Sequence, residues 1–95
     1  MSYAQTPPPF PAVIYEEPDS QRVLLFLNDK LAATVLETSV ALQMEPERTF
    51  AILRKLEEAG LVRSSGAGLG PFSGTYAPAE PGVRLSRQIR SWKKA

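Results

Sequence analysis

The sequence predicts a small, mainly α-helical domain with one β-hairpin, which is an α+β fold class. Apolar side chains recur at helical spacing in several segments. Thr34 and Glu37 form a T-x-x-E helix start signal. Two short segments of extended type flank a glycine-rich stretch within residues 61–78. The chain has 95 residues, which suffice for one hydrophobic core.

The composition argues against an enzyme, a metal site and a cofactor. The chain has no cysteine and no histidine, so a disulfide, a thiolate zinc site and a Ser-His-Asp arrangement are excluded. The carboxylate pairs Glu16-Glu17 and Glu57-Glu58 are adjacent in sequence, so their side chains diverge and cannot share a proton. We therefore expect a binding protein without catalytic residues.

The sequence contains no membrane-spanning signal. No apolar run approaches the roughly 20 residues that a membrane helix needs. The N-terminus lacks the basic and then apolar order of a signal peptide. A cytoplasmic protein without membrane contact is expected.

Charge is distributed unevenly along the chain. Residues 1–47 hold two basic and seven acidic residues, a net charge of −5, whereas residues 48–95 hold nine basic and three acidic residues, a net charge of +6. This asymmetry indicates a polyanionic partner for the second half, or else solvated helix faces.

Residues 1–19 are predicted to form an extended, proline-rich arm. TPPPFP at 6–11 favours polyproline conformation over helix, and could be a ligand for an aromatic groove, a stiff linker or an arm lying on the domain. Phe10, Val13, Ile14 and Tyr15 are too apolar for a solvated tail. Part of 10–15 is therefore expected to dock on the domain or on a second subunit.

Two helices are predicted next. The first begins near Asp19 or Ser20 as its cap, ends at residues 28–30, and is apolar nearly all round, which is typical of a central helix; its apolar residues are Val23, Leu24, Phe26, Leu27 and Leu31. The second starts at the Thr34 capping box and runs to about Leu42. Its expected core contacts are Val35, Leu36, Val40 and Leu42, and Met44 is expected to pack inward after the turn.

A third helix is predicted over residues 45–59. Glu45 and Pro46 suit a helix start, and Gly60 suits its end. The i, i+3, i+4, i+7 spacing predicts a buried face made of Thr49, Ile52, Leu53 and Leu56. The outward face then holds Glu47, Ala51, Arg54 and Glu58.

LRKLEEAGLVR, from Leu53 to Arg63, resembles the end of the third helix and the first wing strand of winged helix-turn-helix proteins. PadR-like, MarR-like and ArsR-like regulators carry similar runs, and the resemblance covers roughly residues 20–95. It implies a three-helix core, a two-stranded wing at about 61–78 and a C-terminal helix at about 83–94. Gln43 departs from the glycine that many such proteins have in the turn.

The resemblance makes residues 45–59 the recognition helix of a DNA-binding protein. Base edges and phosphates require hydrogen-bond donors, which Arg48, Arg54 and Lys55 supply. Phe50 either contacts a thymine methyl group or belongs to the core. The implied DNA-binding residues are Arg48, Phe50, Ala51, Arg54, Lys55 and Arg63.

The predicted wing has a glycine-rich tip at residues 66–74. It is not a phosphate-binding P-loop, because no GK[ST] follows and no helix succeeds the glycines. Leu69 and Phe72 are unusual for a solvated tip. They either fold back on the sheet or, with Phe50, anchor a protein partner.

In the predicted C-terminal helix, Leu85, Ile89 and Trp92 form one apolar stripe at i, i+4, i+7. Its cover is either the first helix of the same domain or the same helix of another subunit. A membrane-surface helix is disfavoured, because the segment is short and has one aromatic residue.

The resemblance implies a transcriptional regulator that binds double-stranded DNA, expected as a homodimer. The alternative is a winged helix that contacts a protein, such as a polymerase, replication or phage-host partner. A further alternative is an interaction module whose ligand segment is the proline-rich arm.

Overall fold

The computed structural model describes residues 11–65 and 74–94. Within them the fold is mainly α-helical with a small antiparallel sheet, as predicted. The elements in chain order are α1 (Ala12–Glu16), α2 (Pro18–Lys30), β1 (Ala33–Thr34), α3 (Val35–Leu42), α4 (Pro46–Glu58), β2 (Val62–Ser64), β3 (Thr75–Pro78) and α5 (Glu80–Lys94).

The sheet has three strands in the order β1-β3-β2, rather than the two predicted. The expected hairpin strands are β2 and β3, with Val62 opposite Pro78. The strand that the sequence did not predict is β1, where Ala33 lies opposite Tyr76. It has only two residues, too few for an alternating pattern to be recognised.

The central helix of the core is α2, which packs against α3, α4, α5 and β3. Its residues Val23, Leu24 and Leu27 are fully buried. Leu31, expected among the apolar core residues, is instead 70% exposed. It is the C-cap residue and has a left-handed backbone with φ 72°, which turns it away from the buried face.

The arm is not extended throughout, because residues 12–16 form the helix α1. The two prolines of the arm that the structure describes lie at helix borders, with Pro11 before α1 and Pro18 at the start of α2, where proline is tolerated. Val13 and Ile14 are buried, so the expected docking on the domain is confirmed for them. Phe10 lies outside the described residues.

The expected cap of the long first helix was also wrong. Glu17, rather than Asp19 or Ser20, is the N-cap residue of α2. The hydroxyl of Ser20 is buried and donates to the carbonyl oxygens of Glu17, at 2.6 Å, and Val13, at 3.0 Å. Ser20 therefore ties α1 to α2.

The capping box of α3 is confirmed. Thr34 Oγ1 accepts from the Glu37 amide at 3.0 Å, and Glu37 Oε1 accepts from the Thr34 amide at 2.8 Å. Two expected core residues of α3 were wrong, since Leu36 is 49% and Val40 is 78% exposed. The helix buries the side that carries Val35, Thr38 and Ser39 instead.

The turn after α3 has Gln43 in the left-handed region, with φ 57°. Asparagine and glycine are commoner there, but the short αL turn is geometrically the same. Met44 follows and is partly buried against the core, as expected.

The C-terminal helix α5 begins at Glu80, earlier than the expected start near Val83. Pro81 falls within its first turn, a position that proline tolerates. Leu85 and Ile89 are buried in the core of this chain, and α5 packs on α2. Arg90 also binds Asp29 at 2.7 Å. Leu85 and Ile89 are therefore covered by residues of the same chain, while Trp92 is 48% exposed.

None of the helices in the part of the chain that the structure describes has the length and apolar content needed to cross a bilayer.

Candidate nucleic-acid interface

The candidate interface is the outward side of α4. The helix has Glu45 as N-cap, Pro46 at its first position and Gly60 just beyond its end with φ 79°, all as predicted. The predicted inner face is confirmed, since its members are buried: Thr49, Ile52, Leu53 and Leu56. The opposite side is exposed and carries Glu47, Arg48, Ala51, Arg54, Lys55 and Glu58.

Two of the three cations on α4 are engaged by the carboxylates of Glu17, between α1 and α2, and Asp19, in the first turn of α2. Arg48 Nη2 lies 2.9 Å from Asp19 Oδ2 and 3.3 Å from Glu17 Oε1. Lys55 Nζ lies 3.7 Å from Glu17 Oε2. These side chains thus lie on the flank of α4 that faces α1 and α2.

Like Glu17, Asp19 pairs with two cations. Its pKa lies below the usual range because Arg22 donates a hydrogen bond to it at 3.0 Å, and Arg48 adds a second. Arg22 also donates to the carbonyl oxygen of Leu42 at 2.7 Å. The cluster therefore links the start of α2 to α4 and to the end of α3.

Arg54 occupies the middle of the outward face. Its guanidinium carbon lies 5.9 Å from the centroid of the Phe50 ring, within the range of a cation–π contact. Its Nε lies 3.9 Å from Glu57 Oε1, which is a long ion pair. Phe50 is partly buried against the core, in line with the core alternative drawn from the sequence, and its ring also lies against Arg54.

Arg63 lies on β2 and is exposed, next to α4 in the fold. A hydrogen bond from Ser64 Oγ to Glu57 Oε2, at 3.0 Å, joins β2 to α4. Tyr76 of β3 is buried, and burial together with the negative charge of Glu57 raises its pKa. The hairpin base is thus anchored to the helix, while Leu69 and Phe72 lie outside the described residues.

The structure places all six predicted DNA-binding residues on α4 and β2. The sequence did not predict that Glu17 and Asp19 pair with Arg48 and Lys55. The excess of acidic residues in the first half was the only available signal. In the described ranges no group of three or more acidic side chains is arranged to hold a metal ion.

No protein-family model and no curated protein matches the chain. Solved structures do. A MarR protein from Peptoclostridium difficile is 15% identical, with a TM-score of 0.75 over 85% of this chain and 53% of that one. A transcriptional regulator homologue from Pyrococcus horikoshii is 20% identical, with a TM-score of 0.73 over 85% of this chain and 81% of that one.

ZitR from Lactococcus lactis is also similar. An apo mutant of it is 18% identical, with a TM-score of 0.71 over 87% of this chain and 62% of that one. A ZitR mutant in complex with DNA is 21% identical, with a TM-score of 0.64 over 76% of this chain and 49% of that one. The chain thus spans between 49% and 62% of these ZitR chains. The likeness establishes the winged helix-turn-helix fold that the sequence predicted.

Proposed function

We propose that this chain is a cytoplasmic transcriptional regulator that binds double-stranded DNA through α4 and the hairpin, and that it is a binding protein rather than an enzyme. The observation that carries the proposal is the exposed face of α4, where Arg54 lies over Phe50. In winged helices this helix enters the major groove. One similar solved structure is a ZitR mutant in complex with DNA, which supports the proposal that this chain binds DNA.

Two residues of the exposed α4 face and one residue of β2 have distinct roles in this proposal. Arg54 donates two hydrogen bonds to a guanine edge, and its contact with Phe50 limits the rotamers it must give up. The small side chain of Ala51 lets the helix approach the bases closely. The exposed cation of Arg63 binds a phosphate beside the groove.

Arg48 and Lys55 make a smaller contribution in this proposal than their charges suggest. Their partners Glu17 and Asp19 would repel phosphates and already neutralise part of their charge. These pairs are solvent-exposed, so salt screens them. Arg48 and Lys55 therefore bind phosphate only in competition with the two carboxylates.

We also propose that the chain acts as a homodimer, because two copies reading two half-sites give a regulator most of its selectivity. Leu85 and Ile89 do not supply the contact, because both are buried inside one copy.

The ion pairs of Arg48 and Lys55 with Glu17 and Asp19 favour a second candidate function, a winged helix that contacts a protein. Glu47 and Glu58 are exposed on α4 beside Arg54, which makes the face mixed in charge. Phe50 would then be an apolar anchor. Leu69 and Phe72, at the tip of the wing that the sequence predicts, would be the others.

The test is an anisotropy titration of a labelled random duplex at two salt concentrations. The wild type should bind more weakly at the higher salt, because phosphate neutralisation releases counterions. Arg63→Ala should lower the salt slope by about one. Lys55→Ala should lower it less, because Glu17 already pairs with Lys55.

A second titration, on the best sequence from a duplex selection, tests the role of Arg54. Arg54→Ala should lose roughly 1–3 kcal/mol and relax preference at one base pair. The matched control is Arg87→Ala, which removes an exposed arginine from α5 and should keep that preference. Absence of salt-dependent binding at micromolar protein would contradict the DNA proposal. Loss of a captured partner in Leu69→Ser with Phe72→Ser, with folding intact, would then favour protein contact.

A further inference from the structure

An apolar groove of about 470 Å³ lies between α2 and α3. Its side chains come from both helices and are Phe26, Lys30, Leu36, Glu37, Val40 and Ala41. The two largest apolar residues of its α3 side are far from buried, since Leu36 is about half exposed and Val40 more so. The groove is therefore an open surface lined by apolar side chains.

The helix α3 buries Val35 on its inner face, but otherwise it partly reverses the usual distribution of polar and apolar residues. Its inner face buries the hydroxyls of Thr38 and Ser39, which donate to the carbonyl oxygens of Thr34 and Leu36, each at 2.9 Å. Its outer face carries Leu36 and Val40. Scattered surface leucines are ordinary, but clustered apolar residues with a charged rim mark an interaction surface.

The exposed large apolar residues lie on several elements, and two of the five line this groove. Among the described residues they are Tyr15, Leu31, Leu36, Val40 and Trp92. Leu36 and Val40 line the groove, and Leu31 directly follows Lys30, which also lines it. A small molecule would fit it poorly, because ligand pockets bury most of their ligand whereas Val40 lies on open surface.

The charged residues that line the groove indicate which kind of partner binds there. Lys30 lies on the α2 side and Glu37 on the α3 side, so the surface is complementary in charge to itself. We infer that a second copy of this chain docks on the groove, in an isologous dimer that covers Leu36 and Val40.

The two-fold axis of this dimer runs along the groove and places α2 of each copy over α3 of the other. Each Lys30 then meets the partner's Glu37, and because the contact is isologous the pair occurs twice. Val40 packs against the apolar lining of the opposite groove. The charge pairs fix the register of the two copies, and the apolar side chains supply the affinity.

This dimer leaves the candidate DNA interface open. No described residue of α4, β2 or β3 lines the groove. It also differs from a dimer through α5, whose Leu85 and Ile89 are covered within one copy. The inference rests on the proposed homodimer and gives its contact surface. It can fail while the DNA proposal holds, or hold while the DNA proposal fails.

The first test is sedimentation velocity of the full chain over a range of concentrations. The wild type should show a monomer–dimer equilibrium. Val40→Asp should weaken the dimer at least about tenfold, because it buries a charge in the contact. Since Val40 is largely exposed in one copy, the melt of the monomer should not change. Ala51→Asp, on the exposed face of α4, is the matched control and should keep the dimer while weakening DNA binding.

The second test uses charge. Lys30→Glu should weaken the dimer, because it sets two glutamates against each other, and Glu37→Lys should do the same with two lysines. Mixing these two variants should restore association, because each contact then pairs a glutamate with a lysine. A melt of Glu37→Lys checks that the helix survives loss of its capping box.

A monomeric wild type at high concentration would overturn the inference and leave the groove to another protein or to residues 1–10. A dimer that resists both Val40→Asp and Lys30→Glu, or one that Ala51→Asp disrupts, would place the contact elsewhere. A mixture that fails to associate would exclude the two-fold arrangement.

Discussion

At Gly82, the absence of a side chain allows α5 to approach the segment before β2. A Cβ at this position would overlap the carbonyl oxygen of Leu61 and lie 3.0 Å from its carbon and 3.3 Å from Leu24 Cδ1. That carbonyl oxygen also accepts a hydrogen bond from the Ala79 amide at 2.9 Å, so it is held in place. The start of α5 therefore depends on glycine for space.

Gly82→Ala should destabilise the domain by about 1–3 kcal/mol, the usual cost of overpacking. This is opposite in sign to the gain of roughly 1 kcal/mol that alanine normally brings to a helix. The control is Gly74→Ala, where a Cβ would meet nothing within 4 Å. Urea unfolding measures both variants, and a Gly82→Ala protein as stable as the wild type would show that α5 can shift freely.

At the scale of single residues, the sequence predicted the conformations and contacts that depend on neighbours close in sequence. The reciprocal bonds of Thr34 and Glu37 and the left-handed Gly60 follow from neighbours within four positions. The partners of Arg48 could not be predicted in this way, because Glu17 and Asp19 come close to Arg48 only when α2 packs on α4. Likewise, Leu36 and Val40 have the chemistry of core residues, and only the orientation of α3 shows that they are exposed.

Among the elements, α1 is a helix that the sequence did not predict, although it predicted that part of this segment docks on the domain. It is five residues long and lies between prolines, yet Ile14 is only 1% exposed. Ile14→Ala should destabilise the domain by about 2–5 kcal/mol, because it leaves a cavity. Glu16→Ala on the same helix removes an exposed side chain and should change stability by less than about 0.5 kcal/mol.

A pair of truncations tests α1 as a unit. Deletion of residues 1–16 removes Val13 and Ile14 and should lower the melting temperature markedly. Deletion of 1–9 should lower it little, because the proline-rich composition of this segment predicts a tail that buries little. Equal, negligible shifts from the two deletions would contradict the docking of α1.

The longer elements could be predicted because their apolar periodicity extends over several turns. The stripe of Ile52, Leu53 and Leu56 predicted the buried face of α4, and Pro46 and Gly60 indicated its bounds. The short elements α1 and β1 carry no such repeat, and their structure depends on partners distant in sequence, since β1 pairs with β3. The start of α5 was placed late because Pro81-Gly82 reads as a turn in isolation.

At the scale of the whole molecule, the opposite charges of the two halves meet in the structure. Glu17 and Asp19 belong to the acidic half, and Arg48 and Lys55 belong to the basic half. Part of the asymmetry seen in the sequence is thus satisfied internally. What remains for a polyanion is smaller than the net charge of residues 48–95 implies.

If these carboxylates compete with DNA, Glu17→Gln with Asp19→Asn should raise duplex affinity at low salt. It should also steepen the salt dependence by up to about two, because Arg48 and Lys55 become available to phosphates. Asp29→Asn with Glu80→Gln is the matched control, since it removes two negative charges that pair with Arg90 and Arg84 of α5. Equal effects of the two double variants in an anisotropy titration would mean that only overall charge matters.

The strand order has a consequence for aggregation. In the described residues the edge strands β1 and β2 are two and three residues long, and the longest strand, β3, lies between them. Amyloid-like growth needs a run of unpaired amide and carbonyl groups along an edge, which a second chain can extend. Here the strand that could offer such a run is paired on both sides. The strands described in residues 11–65 and 74–94 therefore present too little edge to nucleate fibrils, even when folded copies are crowded together.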